Sequence, residues 1–138
     1  MDIRALASVV IANFEGCRLA AYQDSGGVWT IGFGHTKGVK AGDSCTMDQA
    51  TKWLAEDISD EILNAVSGLP AVEQVGWVSF AYNCGLGALK RTLAMPKAAQ
   101  VVNLRQFVKD ARGNALPGLV KRRESEAVLT MLGRAMGA

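Results

Sequence analysis

The segment that most restricts what this chain can fold into is VEQVGWVSFAYNCG, residues 72–85. At 3.6 residues per turn it is apolar nearly all round, which describes a helix enclosed by other elements rather than one lying on a surface. A chain of 138 residues is long enough to enclose it within one domain. The enclosing pieces lie on both sides. Ile3, Leu6, Ala7, Val10, Ile11 and Phe14 recur at helical spacing, with Asp2 placed as N-cap and Gly16 as stop. Thr46 to Gln49 forms a capping-box pattern that opens a second helix carrying Ala50, Trp53, Leu54, Ile58 and Ile62 as far as Gly68-Leu69-Pro70. A helix follows Pro96 and ends near Gly113. A last one follows Pro117, with KRRESE near its start and Val128, Leu129, Leu132 and Met136 turned inward. The β-structure expected is one hairpin, Arg18–Tyr22 and Val28–Phe33, joined through the turn-forming QDSGG. The fold class is therefore α+β: a small hairpin lobe at about residues 16–45 against a mainly helical lobe formed by 1–15 and 46–138, in a single domain spanning 1–138.

Composition narrows the function classes. Hydrophobic residues make up 49% and charged residues 20%, an ordinary globular balance, and the formal net charge of +2 is too small to indicate a nucleic-acid partner. Cys17, Cys45 and Cys84 are odd in number and show neither CxxC nor Cys/His metal spacing, so free thiols, no metal and no cofactor are expected. The first 16 residues are too short and too interrupted to insert in a membrane and lack the parts of a secretion signal. The expected product is a soluble monomer with no export route of its own.

Asn13 to Thr36, NFEGCRLAAYQDSGGVWTIGFGHT, concentrates the chemistry: one Glu, one Asp and the only His of the chain, among five glycines and four aromatics. Glu15 follows Phe14 at the end of the first helix, on the flank of its apolar stripe, where desolvation would favour a protonated carboxyl suited to general acid work. A surface acid at a helix end is the plain alternative. Alternation on the second strand puts Trp29, Ile31 and Phe33 on one face and Thr30, Gly32 and Gly34 on the other, a cleared face able to admit a bulky ligand. Asp24, besides forming a turn, would lie beside Thr30 across the hairpin and hold a water with it. Two carboxyls of different character flanking such a face are the equipment of glycoside hydrolysis. No nucleophile triad, P-loop or dinucleotide motif competes.

The spacing Glu15-x8-Asp24-x5-Thr30 resembles the catalytic signature of the phage-type lysozymes, glycoside hydrolase family 24. WVSFAYNCGLGALKRTL, Trp77–Leu93, is similar to the family's central helix with its Asn-x-Gly-x-Gly end, and LPGLVKRRESE, Leu116–Glu126, to the segment that opens its last helix. The resemblance implies a lysozyme-like fold with the cleft between the lobes. It implies a muramidase acting on the glycan strands of bacterial peptidoglycan between N-acetylmuramic acid and N-acetylglucosamine. Glu15 would be the general acid, Asp24 and Thr30 would place and activate water, and Gly34, Thr36 and Asn83 would contact substrate. His35, in a Gly-His-Thr element, is read as a structural partner at the hairpin end. Arg122 and Arg123 either reach Glu15 or anionic substrate groups, or form a solvated basic turn at an end of the helix that disfavours cations. The resemblance further implies an endolysin held in the host cytoplasm until a holin opens the membrane, then acting in the periplasm on the wall. AMPKAAQVVNLRQFVKDARG departs from the family pattern and leaves the outer wall of the cleft open. A lytic transglycosylase, which needs an acid but no activated water, and a non-catalytic glycan-binding module are the competing readings.

Overall fold

The computed structural model describes residues 1–137. Helix α1, Ile3–Glu15, starts where the Asp2 carboxylate accepts from the Ala5 N–H and ends at Gly16, whose φ of 63° turns the chain and returns its N–H to the Ala12 carbonyl. Strands β1, Arg18–Gln23, and β2, Trp29–Gly32, pair antiparallel, with Tyr22 opposite Thr30, Gln23 opposite Trp29 and an irregularity between Arg18 and Tyr22. A bridge between Ala20 and Ser44 adds a third short edge to the hairpin. Helices α2 (Met47–Asp57), α3 (Asp60–Val66), α4 (Ala71–Cys84), α5 (Leu86–Leu93), α6 (Lys97–Leu104) and α7 (Pro117–Met136) follow. The class is α+β, as expected. None of the described helices is long and apolar enough to cross a membrane.

Helix α4 is the enclosed element. Trp77, Val78 and Phe80 have no exposed surface, and α1, α3, α5 and α7 pack around it. Full burial of side chains of this size contributes about 1.5–3 kcal/mol each. The capping box of α2 is present, with the Thr46 hydroxyl accepting from the Gln49 N–H and the Gln49 side chain accepting from the Thr46 N–H.

Four expectations are corrected. The second helix is two: α2 stops at Asp57 and Ser59 caps α3 by accepting from the Ile62 N–H. The freed Ile58 carbonyl takes two bonds from the Arg4 guanidinium, at 3.1 and 3.0 Å. The helix after Pro96 ends at Leu104, not near Gly113. Beyond it the Asp110 carboxylate accepts from the Arg112 and Asn114 N–H groups and folds a second small hairpin, with a bridge between Lys109 and Ala115. An Asp that can bond its own backbone competes with helix continuation. Helix α5 had no counterpart in the sequence reading.

The fourth correction concerns α7. Val128, Leu132 and Met136 are 47%, 46% and 61% exposed, and of the four residues expected inward only Leu129 packs on the core. The buried face is Arg122, Arg123, Glu126, Ala127, Thr130 and Gly133. Gly76 and Gly133 explain it. A Cβ on Gly76 would stand 2.8 Å from the Glu126 carbonyl oxygen, and one on Gly133 would stand 2.8 Å from the Glu73 Cβ. The two longest helices approach backbone to backbone at these glycines. The facing side of α7 must then be small, or polar and paired, rather than leucine-rich.

Candidate active site

The glycines of the hairpin clear space for protein rather than for ligand, which corrects the reading of β2. A Cβ on Gly32 would meet Ala50 of α2 at 3.1 Å, and one on Gly34 would stand 2.7 Å from Glu15 Oε2. Both glycines have positive φ, 65° and 81°. Gly34 thus lets the Glu15 carboxyl lie directly on the backbone beyond β2. Ile31 on the opposite face is buried, and Phe33 packs against the core.

Glu15, with 20% of its side chain exposed, is gripped from the other side by Arg122, whose Nη1 donates to Oε1 at 2.6 Å. Burial is therefore only part of the environment of Glu15; the other part is a fixed cation. The two readings left open for the arginines are decided by burial. Arg122 and Arg123 are 4% and 1% exposed, so neither is solvated. Arg122 lies over the Phe14 ring, its Nε donates to Glu126 Oε2 at 3.2 Å, and its Nη2 donates to the Ser79 carbonyl at 3.1 Å. Arg123 lies over Phe80. Its Nη2 donates to Glu126 Oε2 at 3.2 Å, its Nη1 reaches Cys84 Sγ, and its Nε stands 2.6 Å from Glu126 Oε1 without the alignment of a hydrogen bond. The Ser79 hydroxyl donates to Glu126 Oε2 at 2.5 Å. Burial pushes the Glu126 carboxyl up, and Arg123, Ser79 and Arg122 pull it back.

Asp24 closes the turn between the strands. Its Oδ1 accepts from the Gly26 and Val28 N–H groups, both at 2.9 Å, and among the described residues Oδ2 makes no hydrogen bond. The register sets Thr30 opposite Tyr22, so Asp24 and Thr30 are diagonal neighbours on one face rather than directly beside each other. The Thr30 hydroxyl, in a residue 4% exposed, donates to the Val28 carbonyl at 2.9 Å and keeps its lone pairs for a second donor. Tyr22 stands in the field of both carboxylates. Burial first, then the charge of Glu15, push its phenol up; Arg18, over its ring, pulls it down, and Asp24 pushes it up again. Tyr82 donates to the Phe33 carbonyl at 2.7 Å and ties α4 to the chain beyond β2. Burial, Asp57 and Glu15 raise its phenol far above the ordinary range.

Asp24 opens on a cleft of about 520 Å³ whose other walls are Asn83 and Cys84 at the end of α4, Phe107, Lys109 to Ala111, and Leu116 and Leu119. The departure from the family pattern noted in the sequence is this second wall. Its turn repeats the hydrogen bonding of the Asp24 turn. Asp110 N–H donates to the Asn114 carbonyl as Asp24 N–H donates to that of Val28, and each Asp Oδ1 accepts two backbone N–H bonds. The turns meet across the cleft, where a Cβ on Gly26 would lie 3.5 Å from that of Ala111. Of the expected substrate contacts, Gly34 lies on Glu15 and Asn83 lines the cleft beside Asp24. Thr36 is exposed in the next turn, its carbonyl accepting from the Val39 N–H.

His35 is structural in its contacts. Nδ1 is bonded to Asp57 Oδ2 at 2.7 Å, the ring stacks on Trp53 at 4.6 Å, and its backbone exchanges two bonds with Ile31. Asp57→Asn is expected to lower stability by about 1–2 kcal/mol, the ordinary range for a hydrogen bond to a charged group that is partly exposed. Thermal melts at neutral pH check this, and an unchanged midpoint would show the pair to be energetically idle. The sequence reading missed Ser79, Tyr82 and Glu126. For Glu126 a signal existed, since it stands four residues after Arg122 and three after Arg123, both spacings that place side chains together on a helix.

Comparison with known proteins identifies the fold and the family. The sequence model of the family described as Phage lysozyme matches residues 12–126, which include Glu15, Asp24, Thr30 and Arg122. An endolysin of Acyrthosiphon pisum secondary endosymbiont phage 1 is 32% identical, the match covering 94% of this chain and 97% of that protein. The chain spans about half the length of several other phage endolysins that it matches. Among solved structures, the endolysin from Escherichia coli O157:H7 phage FAHEc1 superposes with a TM-score of 0.77 at 30% identity over 95% of this chain and 94% of that one. The muramidase domain of SpmX from Asticaccaulis excentricus superposes with a TM-score of 0.74 at 28% identity over 91% and 94%. The fold is the one the sequence resembled, and the chain belongs to the phage lysozyme family.

Proposed function

We propose that this glycoside hydrolase, a peptidoglycan-degrading enzyme of the endolysin kind, cleaves the β-1,4 bond between N-acetylmuramic acid and N-acetylglucosamine by inversion. Glu15 gives its proton to the leaving glycosidic oxygen. Asp24 takes a proton from a water whose position Thr30 helps to set, and that water attacks the anomeric carbon from the opposite face. The observation that carries the reading is the half-open Asp24 carboxylate, set against a Glu15 that Arg122 orients. Glu15 is enclosed by Arg122 and Gly34, whereas Asp24 uses one oxygen to fold its turn and leaves the other on the cleft. An open carboxylate with a hydroxyl as diagonal neighbour suits the activation of water, and this favours hydrolysis over transglycosylation. The similarity to a muramidase domain supports the choice of bond.

Inversion requires room for the water, so the carboxyls are expected to work about 6.5–9.5 Å apart rather than at the roughly 5–5.5 Å of a retaining pair. Digestion of purified peptidoglycan with product analysis tests the reaction. New reducing muramic ends are expected; anhydro-muramic ends would make the enzyme a transglycosylase, and no product would leave a binding module. Proton NMR of the anomeric signals in the first minutes should show the α-product first. An initial β-product, or a sugar ester trapped on Asp24, would overturn inversion and leave the bond assignment standing.

A further inference from the structure

Glu126 makes no contact that the proposed reaction uses, yet it is fully buried, which is costly for a carboxylate unless it is paired, as Arg122, Arg123 and Ser79 pair it. Its place is specific. It takes the Nε edge of Arg122 while the Ser79 carbonyl takes Nη2, so the guanidinium is held from behind and a single nitrogen, Nη1, is left to reach Glu15. Glu15 consequently meets its cation through Oε1 alone, and Oε2 faces Gly34. A guanidinium free to turn would present its two-nitrogen fork to Glu15, the stronger, bidentate arrangement that fixes a carboxylate in its charged form. We propose that Glu126 is a positioning residue for the general acid: it anchors Arg122 so that Glu15 is oriented by one hydrogen bond while its second oxygen stays available to carry and deliver the proton.

The inference rests on the assignment of Glu15 as the acid, and charge balance gives it a sign. Arg122 and Arg123 are two cations, and Glu15 and Glu126 are the carboxylates set against them. The other ionisable groups facing Glu15 are Tyr22 from β1 and Tyr82 from α4, and Cys84 of α4 faces Glu126. Removing the charge of Glu126 leaves one cation in excess beside Glu15 and favours its ionised form. The acid would then lose its proton at lower pH.

The test is the pH–rate profile of peptidoglycan hydrolysis by Glu126→Gln, with kcat and KM separated, together with carbon-13 carboxyl titration of Glu15. Glutamine keeps an oxygen for Ser79 and Arg122 but no charge. The alkaline limb is expected to move down by about one pH unit, the low end of shifts produced by an adjacent charge. At a pH above that limb kcat should then fall about tenfold with KM nearly unchanged. Glu126→Asp, which keeps the charge, should recover most of the shift. A Glu126→Gln profile that superimposes on that of the wild type, even with a lower melting temperature, would show Glu126 to be structural only and overturn the proposal. If Glu126→Gln does not fold, Ser79→Ala keeps every charge and removes the shortest bond to Glu126. It should move the same limb in the same direction by less, and no movement would again overturn the proposal. The carboxyl titration of Glu15 reads the effect of Glu126 even in a protein that releases no reducing ends, so failure of the muramidase reading and failure of this inference are separable.

Discussion

Glu15→Gln is expected to lower wall-lytic activity by roughly 10²–10⁴-fold, the usual contribution of general acid catalysis, while the protein stays folded. Glutamine matches the shape of glutamate, and its carbonyl oxygen can still accept from Arg122 Nη1, so the contact between α1 and α7 survives the change. Arg122 keeps Glu126 as a counter-charge, which limits the cost of losing its other partner. What glutamine cannot do is release a proton to a departing alkoxide. The expected pattern is therefore a large loss in turbidity clearing beside a melting temperature only a few degrees from that of the wild type. A purified, folded Glu15→Gln protein that still clears cells at most of the wild-type rate would take the acid role away from Glu15.

The largest effect on stability is expected far from the cleft, at Gly133→Ala. A single methyl group there would meet the backbone N–H of Glu73 and stand 2.8 and 2.9 Å from its Cβ and Cα, against a helix that cannot give way like a flexible side chain. Parting α4 and α7 would also disturb Glu73 itself. Glu73 is 1% exposed and accepts from Trp77 Nε1 at 3.1 Å and from Arg134 Nε at 2.9 Å. Arg134 in turn donates to Gln100 Oε1 at 2.6 Å and so ties α7 to α6. Overpacking costs about 1–3 kcal/mol, and breaking a buried ion pair about 3–5 kcal/mol when it is lost outright. A destabilisation of roughly 3 kcal/mol or more, a fall of about 10 °C or more in melting temperature, is expected. A drop of only two or three degrees would mean that the helix pair can spread and that glycine is not required there.

Much of the architecture was legible because local rules and the global fold agree. The all-apolar character of residues 72–85, the Asp2 and Thr46 caps and the turn residues after Gln23 each specify one outcome, and each outcome is found. The misreading of α7 has a cause of its own. Periodicity assumes that the buried side of a helix is its apolar side. In α7 the exposed Val128, Leu132 and Met136 mark the apolar side, and the buried side carries two arginines and a glutamate. Residues that are expensive to bury one at a time become admissible when Ser79, Glu126 and Glu15 pair them, and those partners come from three helices that no local window spans.

The spacing of the proposed catalytic residues was likewise written in the chain, since Glu15, Asp24 and Thr30 lie on one helix end and one hairpin within 16 consecutive positions. The sequence by itself determined the fold class and the buried central helix and offered the two candidate carboxyls, because short-range caps, turns and periodicity carry that information. Only the tertiary structure decided that Gly32 and Gly34 make room for Ala50 and Glu15, and that Arg122 holds Glu15 from 107 residues away. The same is true of the second hairpin, built from residues 108–116, that meets the Asp24 turn across the cleft. The physical reason is that charge pairing and close backbone approach depend on which elements become neighbours, and neighbourhood between distant segments is set by burial of the shared core.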